Sequence, residues 1–101
     1  MANLISVMVV DDDPVSSAQL GALAKAAGYE ARSAPNGREA WELLQLARVP
    51  IVISDWYMPE MDGPELCRRI RARTHLEVFL RLYSNEDGFR HNAQQVLARL
   101  P

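Results

Sequence analysis

The feature that most constrains the fold is the run at residues 51–63, IVISDWYMPEMDG, which passes from an apolar segment directly into a polar loop. Its first four residues are apolar or small and predict a strand that is covered on both faces. Pro59 and Gly63 punctuate a loop that separates this strand from a helix near 64–72. Asp55 is therefore expected at the carboxyl end of a buried strand, where open α/β sheets bind their ligands.

A second apolar run, residues 8–10, is followed by three consecutive acids. If the two strands are neighbours, the carboxylates of Asp11, Asp12 and Asp55 converge. Their repulsion is normally offset by a hard divalent cation with oxygen ligands, and Mg²⁺ is the natural candidate. The alternative, that an acid here only caps the helix that follows, fits Asp13 best because a proline comes next.

Apolar strands alternate with amphipathic helices along the chain, which predicts an α/β fold with a doubly wound parallel sheet and right-handed crossovers. Gly28 is well placed to end the first helix in a left-handed conformation. We predict strands near 4–10, 29–34 and 76–82 besides the one that begins after Pro50, and helices near 14–27, 37–48, 64–72 and 88–99. The inward-facing residues are predicted to be Ala40, Leu43, Leu44 and Ala47 in the second helix, and Ala93, Val96, Leu97 and Leu100 in the last.

Composition fits one small globular domain over residues 1–101, with 49% hydrophobic residues. A net charge of −2 gives no electrostatic reason to expect nucleic acid binding, and the arginines at 68, 69, 71 and 73 are predicted to form the solvated face of a helix. No apolar run reaches the roughly 18 residues of a membrane span, and no secretory signal is visible, so we expect a cytoplasmic protein. The single cysteine, Cys67, is expected to pack rather than to react.

The two acidic strand ends, joined by the segment that runs from Gly28 to Ala40, strongly resemble the receiver domain of two-component response regulators over about residues 4–82. The resemblance implies a flavodoxin-like fold with sheet order 2-1-3-4 and a fifth strand beside the fourth. It also implies signalling through a protein partner rather than an independent enzymatic activity.

The resemblance further implies the roles of the site residues. Asp55 would accept a phosphoryl group from a sensor histidine kinase or a phosphotransfer protein. Asp11, Asp12 and Asp55, together with the backbone carbonyl of Tyr57, would bind Mg²⁺. The sequence identifies neither the kinase nor the downstream effector.

Two features depart from the family pattern beyond residue 82. Receivers usually carry a lysine at the end of the fifth strand, whereas Lys25 is the only lysine here and lies in the predicted first helix. We find no fifth strand, and we expect residues 83–101 to be divergent or truncated. For the switch hydroxyl of the family, Tyr83 and Ser84 are the candidates, and Ser84 is favoured because its hydroxyl is small.

The sequence is also compatible with three alternatives for function and assembly. One is a pseudo-receiver, a module that binds a protein without depending on phosphorylation. Another is a phosphatase-like enzyme similar to the haloacid dehalogenases, with Asp11 as nucleophile and Asp13 as general acid, although Val15 stands where that pattern has threonine. The third concerns assembly: a homodimer could cover the edge of the fourth strand, or the protein could be a monomer with a frayed end.

Overall fold

The computed structural model of the chain describes residues 4–73, 79–83 and 98. Within these residues the elements are β1 (Ser6–Val10), α1 (Pro14–Ala26), β2 (Glu30–Ala34), α2 (Gly37–Leu46), β3 (Ile51–Asp55), α3 (Gly63–Ala72) and β4 (Phe79–Tyr83). All the strand pairs are parallel, and the sheet order is β2-β1-β3-β4. The predicted fold class and strand order are therefore confirmed.

The central strands β1 and β3 are covered on both faces of the sheet. On one face, Met8 and Val52 join a core cluster to which α2 and α3 contribute. On the other face, Val9 and Ile53 pack against Leu20 of α1. This double coverage explains why both strands have continuous apolar runs rather than alternating ones. It also brings the carboxyl ends of two neighbouring buried strands together at one edge of the sheet.

Short polar side chains begin each helix. Asp13 is the N-cap of α1 and accepts hydrogen bonds from the backbone N–H groups of Val15 and Ser16. Asn36 and Asp62 cap α2 and α3 in the same way. The capping role predicted for Asp13 is confirmed, because these bonds satisfy donors that a first helical turn leaves unpaired.

The first helix ends as predicted. Ala27 is its C-cap, and Gly28 follows with φ of 96°, in the left-handed region that favours glycine. This turn directs the chain from α1 into β2, which lies beside β1 at the edge of the sheet.

Other predictions need correction or lie outside the described residues. The fourth strand ends at Tyr83, not at residue 82. Leu43 is 37% exposed, so its predicted inward orientation is wrong. Gly37, Ala40 and Leu44 form the narrow buried stripe of this short helix, and Leu43 lies at its margin. The predicted helix over 88–99 and its four inward residues are outside the described part, in which Ala98 alone of that segment is described.

Arg68, Arg69 and Arg71 of α3 are exposed, as predicted, whereas the prediction of a solvated position is wrong for Arg73. Arg68 and Arg69 form ion pairs with Glu65 on the exposed face of the helix. Arg73 is half-buried and stacks over Trp41 at 5.3 Å from the ring centroid, which links the end of α3 to α2.

Within the described residues, no helix has the length and apolar character needed to cross a bilayer.

Gly63, the first residue of α3, lies against the end of β3. Its N–H donates to the Trp56 carbonyl at 3.1 Å. A Cβ at this position would lie 2.5 Å from the Asp55 carbonyl oxygen and 2.9 Å from a methyl carbon of Leu82. Only glycine allows the helix to approach the strand this closely.

Gly63→Ala should therefore lower the free energy of unfolding by about 1 to 3 kcal/mol, because backbone at the strand end cannot give way. Gly21→Ala in α1 is the matched control, since its Cβ would meet only Ala31 Cβ at 3.9 Å. It should raise stability by about 0.5 to 1 kcal/mol. Urea unfolding of both variants measures this, and a Gly63→Ala protein as stable as the parent would contradict the close approach.

Candidate functional site

Three acidic residues meet at the carboxyl ends of β1 and β3. The two strands are paired with Val10 beside Ser54, so the residues that follow, Asp11 and Asp55, are neighbours. Asp12 completes the group, and one carboxylate oxygen from each residue lies within 4.8 Å of those of the other two. Asp11 and Asp55 are buried, whereas Asp12 is exposed. The structure thus brings together the three carboxylates that the sequence predicted to converge.

Asp55 is the carboxyl group that this crowding affects most. Burial, followed by the charge of Asp11, raises the pKa of Asp55 to about 6. The backbone N–H of Tyr57 donates to Asp55 Oδ1 at 3.4 Å and opposes the rise. The ionised form is consequently disfavoured as long as nothing positive lies beside it.

Asp11 is held from two directions. Its Oδ1 accepts a hydrogen bond from the Asp13 N–H at 2.9 Å, and its Oδ2 accepts one from the hydroxyl of Tyr83. Tyr83 is 5% exposed and lies in β4, whereas Asp11 follows β1. Because β3 lies between these strands, the phenol ring crosses the end of β3 to reach Asp11.

The hydrogen bond from Tyr83 is a feature that sequence reasoning missed. The register pairs Tyr83 with Asp55, which makes Tyr83 the residue beside the carboxylate in the next strand. Moving the predicted end of the fourth strand by one residue would have revealed this position. Ser84, the favoured candidate for the switch hydroxyl, lies outside the described residues, so its role stays a prediction.

Asp13 does not join the acidic cluster identified above. Its side chain accepts from the Ser16 hydroxyl at 2.7 Å and from the first backbone N–H groups of α1. The Ser16 hydrogen bond contributes most to lowering the pKa of Asp13. A general acid needs a pKa near the working pH, so this carboxyl is poorly suited to the phosphatase-like role.

The loop from β3 to α3 forms the rim of the site. Trp56 and Tyr57 expose 45% and 60% of their surfaces there. The Trp56 N–H donates to the Tyr83 carbonyl at 2.8 Å, which fastens the start of the loop to β4. Glu60 has φ of 67°, a left-handed conformation that costs a non-glycine residue about 1 kcal/mol or more, and its carboxylate lies 3.4 Å from Arg38 Nε.

A shallow cleft of about 330 Å³ opens between this loop and Asp12. Its walls comprise Tyr57, Met58, Pro59 and Asp62 in addition to Asp12. Tyr57 thus lines the same cleft as Asp12, and the role of its backbone carbonyl as a metal ligand stays a prediction.

The donor set suits a hard cation. Carboxylate and carbonyl oxygens are the ligands that Mg²⁺ prefers, and the ion typically takes one or two carboxylates and keeps several waters. The three acids supply more than enough carboxylates for this, and exposed Asp12 leaves the site accessible to water. Lys25 lies in the last turn of α1, about 16 Å along the helix from its start, and so does not neutralise the cluster.

Comparisons with known proteins agree with this arrangement. Residues 7–98 match the response regulator receiver domain family, so the match extends beyond residue 82, where the resemblance seen in the sequence ends. The chain is 35% identical over 91 residues to the gliding motility regulatory protein of Myxococcus xanthus and 40% identical over 91 residues to the sensor kinase CckA of Brucella abortus. These alignments cover 85% of this chain but only 12% and 9% of the two relatives.

Solved structures show the same fold. A response regulator receiver protein from Pseudomonas putida superposes with a TM-score of 0.75 at 28% identity, covering 96% of this chain and 82% of the other. The chemotaxis response regulator CheY4 of Vibrio cholerae superposes with a TM-score of 0.78 at 23% identity, covering 96% and 98%. With the sheet order and the acidic cluster described above, these similarities establish that the chain belongs to the response regulator receiver domain family.

Proposed function

We propose that this chain is a phosphoacceptor module in two-component signalling and that Asp55 is the residue phosphorylated. The observation that carries the proposal is the burial of Asp55 at the end of β3, with carboxylate oxygens of Asp11 and Asp12 within 4.8 Å. Such crowding of acids is costly in a fold that does not use it. The cost is accounted for if the site takes up a cation and a phosphoryl group.

The transfer itself requires little of the protein beyond positioning. A carboxylate oxygen of Asp55 attacks the phosphorus of a phosphohistidine on the donor protein. The new P–O bond forms as the P–N bond breaks, and the imidazole leaves with the bonding electron pair and takes up a proton. The product is an aspartyl phosphate.

Mg²⁺ is the cofactor that we propose for this step. Asp11, Asp12, Asp55 and the backbone carbonyl of Tyr57 would hold it. When bound, the ion neutralises charge on the phosphoryl oxygens. Asp11 contributes a carboxylate held by hydrogen bonds from Asp13 and Tyr83, and exposed Asp12 keeps the site open to solvent.

The proposed partner is a sensor histidine kinase or a phosphotransfer protein in the cytoplasm. Relatives of this chain include the sensor kinases CckA of Brucella abortus and RcsC of Escherichia coli, the latter at 38% identity over 65 residues. A donor histidine would approach over the exposed side chains of Trp56 and Tyr57.

The pseudo-receiver is the second candidate. The observation in its favour is that the sequence has no lysine apart from Lys25, which lies far from the acids along α1. The two candidates differ in their dependence on phosphorylation, because a pseudo-receiver binds its partner equally well whether or not phosphodonor is present.

Incubation with Mg²⁺ and acetyl phosphate should add one phosphoryl group to the chain, as read by intact mass. Asp55→Asn and a magnesium-free sample should show no addition. Asp62→Asn is the matched control, because Asp62 is an exposed cap whose function asparagine preserves, and it should react like the parent. Absence of any addition in a folded parent would favour the pseudo-receiver.

The raised pKa of Asp55 predicts an unusual pH dependence of stability in the metal-free protein. The folded chain holds this proton up to a pKa of about 6, whereas an unfolded aspartate releases it near 3.9. Stability should therefore fall by about 1 to 3 kcal/mol as the pH rises from 4 to 7.

Urea unfolding across this pH range measures the effect. Asp55→Asn should remove that decline, and Asp62→Asn should keep it. Mg²⁺ should restore stability above pH 6 and should bind more weakly below it, because a proton then competes for Asp55. An equal decline in Asp55→Asn would show that another group is responsible.

Trp56 should report metal binding, since its indole is next to Asp55 in the chain and half-exposed at the rim. We expect Mg²⁺ to change the fluorescence of the parent and of Trp41→Phe, and to leave Trp56→Phe nearly unchanged. Trp41 packs beneath Arg73 between α2 and α3, away from the acids. A full Mg²⁺-dependent fluorescence change in Asp55→Asn would show that the signal does not come from the proposed site.

A further inference from the structure

Tyr83 reaches the acidic cluster from β4, the strand at the edge of the sheet. It is the last residue of β4 and is paired with Asp55 of β3. Its hydroxyl nevertheless donates to Asp11, the residue that directly follows β1. Strands in a sheet lie about 4.8 Å apart, so β4 and β1 are separated by about 10 Å. A long side chain with a polar tip is needed to join them, and tyrosine has both.

The environment of the ring keeps this hydroxyl in place as a donor. Tyr83 is 5% exposed and packs with Val9 and Ile53 in the core cluster on the α1 face. Buried hydroxyl groups require hydrogen-bond partners, and Asp11 provides one.

The consequence falls on Asp11. Its Oδ1 is fixed by the Asp13 N–H and its Oδ2 by the Tyr83 hydroxyl, so both oxygens have set positions. A carboxylate oxygen has two lone pairs, so one hydrogen bond to it does not by itself prevent it from binding a cation. Metal-binding carboxylates are commonly oriented in this way by hydrogen bonds from residues that do not touch the ion.

We propose that Tyr83 is a positioning residue of the metal site, which orients Asp11 through the hydroxyl without contacting the ion. The proposal rests on the proposed function, because it assumes that Asp11 binds Mg²⁺. The hydroxyl of Tyr83, reaching from β4 across the end of β3, thus sets the affinity of the site for a cation.

Tyr83→Phe tests the proposal because it removes the hydroxyl and keeps the ring. Tyr29→Phe is the matched control: Tyr29 packs against the same core cluster but precedes β2, at the opposite end of the sheet from the acids. Each protein is titrated with Mg²⁺ and with Ca²⁺ while Trp56 emission is followed, and its fold is checked by urea unfolding.

We expect the Kd for Mg²⁺ to rise about tenfold in Tyr83→Phe and to stay unchanged in Tyr29→Phe. The Kd for Ca²⁺ should rise less, because Ca²⁺ accepts irregular geometry whereas Mg²⁺ demands a near-octahedral one. This loss of selectivity is a result that simple loosening of the fold would not produce. Tyr83→Leu should show the same loss, which covers the case in which phenylalanine packs poorly.

Three results would overturn the inference. An unchanged or lower Kd for Mg²⁺ in folded Tyr83→Phe would refute the positioning role and leave the proposed function intact. Equal losses for Mg²⁺ and Ca²⁺ would show that the hydroxyl does not set the geometry of the site. A parent that binds no Mg²⁺ would refute both the inference and the metal site on which it rests.

Discussion

Repulsion among three carboxylates at one sheet edge is the constraint around which the structure is arranged. Parallel pairing of β1 and β3 places Asp11 beside Asp55, and coverage of both faces denies the two groups the water that would screen them. An apolar pair at these positions would avoid the penalty. The fold instead concentrates negative charge where strand ends, loops and a helix start meet, which is the condition for binding a small cation.

The surrounding elements hold this charge in place rather than dispersing it. The Asp13 N–H and the Tyr83 hydroxyl bind Asp11, and the Tyr57 N–H binds Asp55. The Trp56 N–H ties the same loop to β4. Hydrogen-bond donors therefore reach the acids from β4, from the loop after β1 and from the loop after β3. The site thus depends on the sheet as a whole and not on one motif.

The fold and the core of the site could be predicted from the sequence because their signals are local. Continuous apolar runs define the buried strands, and Asp55 follows one of them directly. Their parallel pairing then places the strand ends side by side, which is why Asp11 and Asp55 were expected to meet.

The contribution of Tyr83 could not be predicted in this way, because it depends on the exact end of β4 and on a reach across an intervening strand. Size alone suggested that a tyrosine would fit poorly there, but the ring finds its place in the core on the α1 face. Leu43 shows the same limit on α2: the pattern identifies an apolar face, and only packing decides how wide the buried stripe is.

The backbone of Asp55 is enclosed on several sides. Its carbonyl oxygen accepts the Ser54 hydroxyl at 3.0 Å and lies against Gly63, and its strand is paired on both edges. The main chain here has no room to shift when the side chain changes state. If Asp55 is phosphorylated as proposed, the change must therefore be expressed by its surroundings. Asp55 would then be a fixed anchor, and the loop and strand ends around it would carry the signal outward.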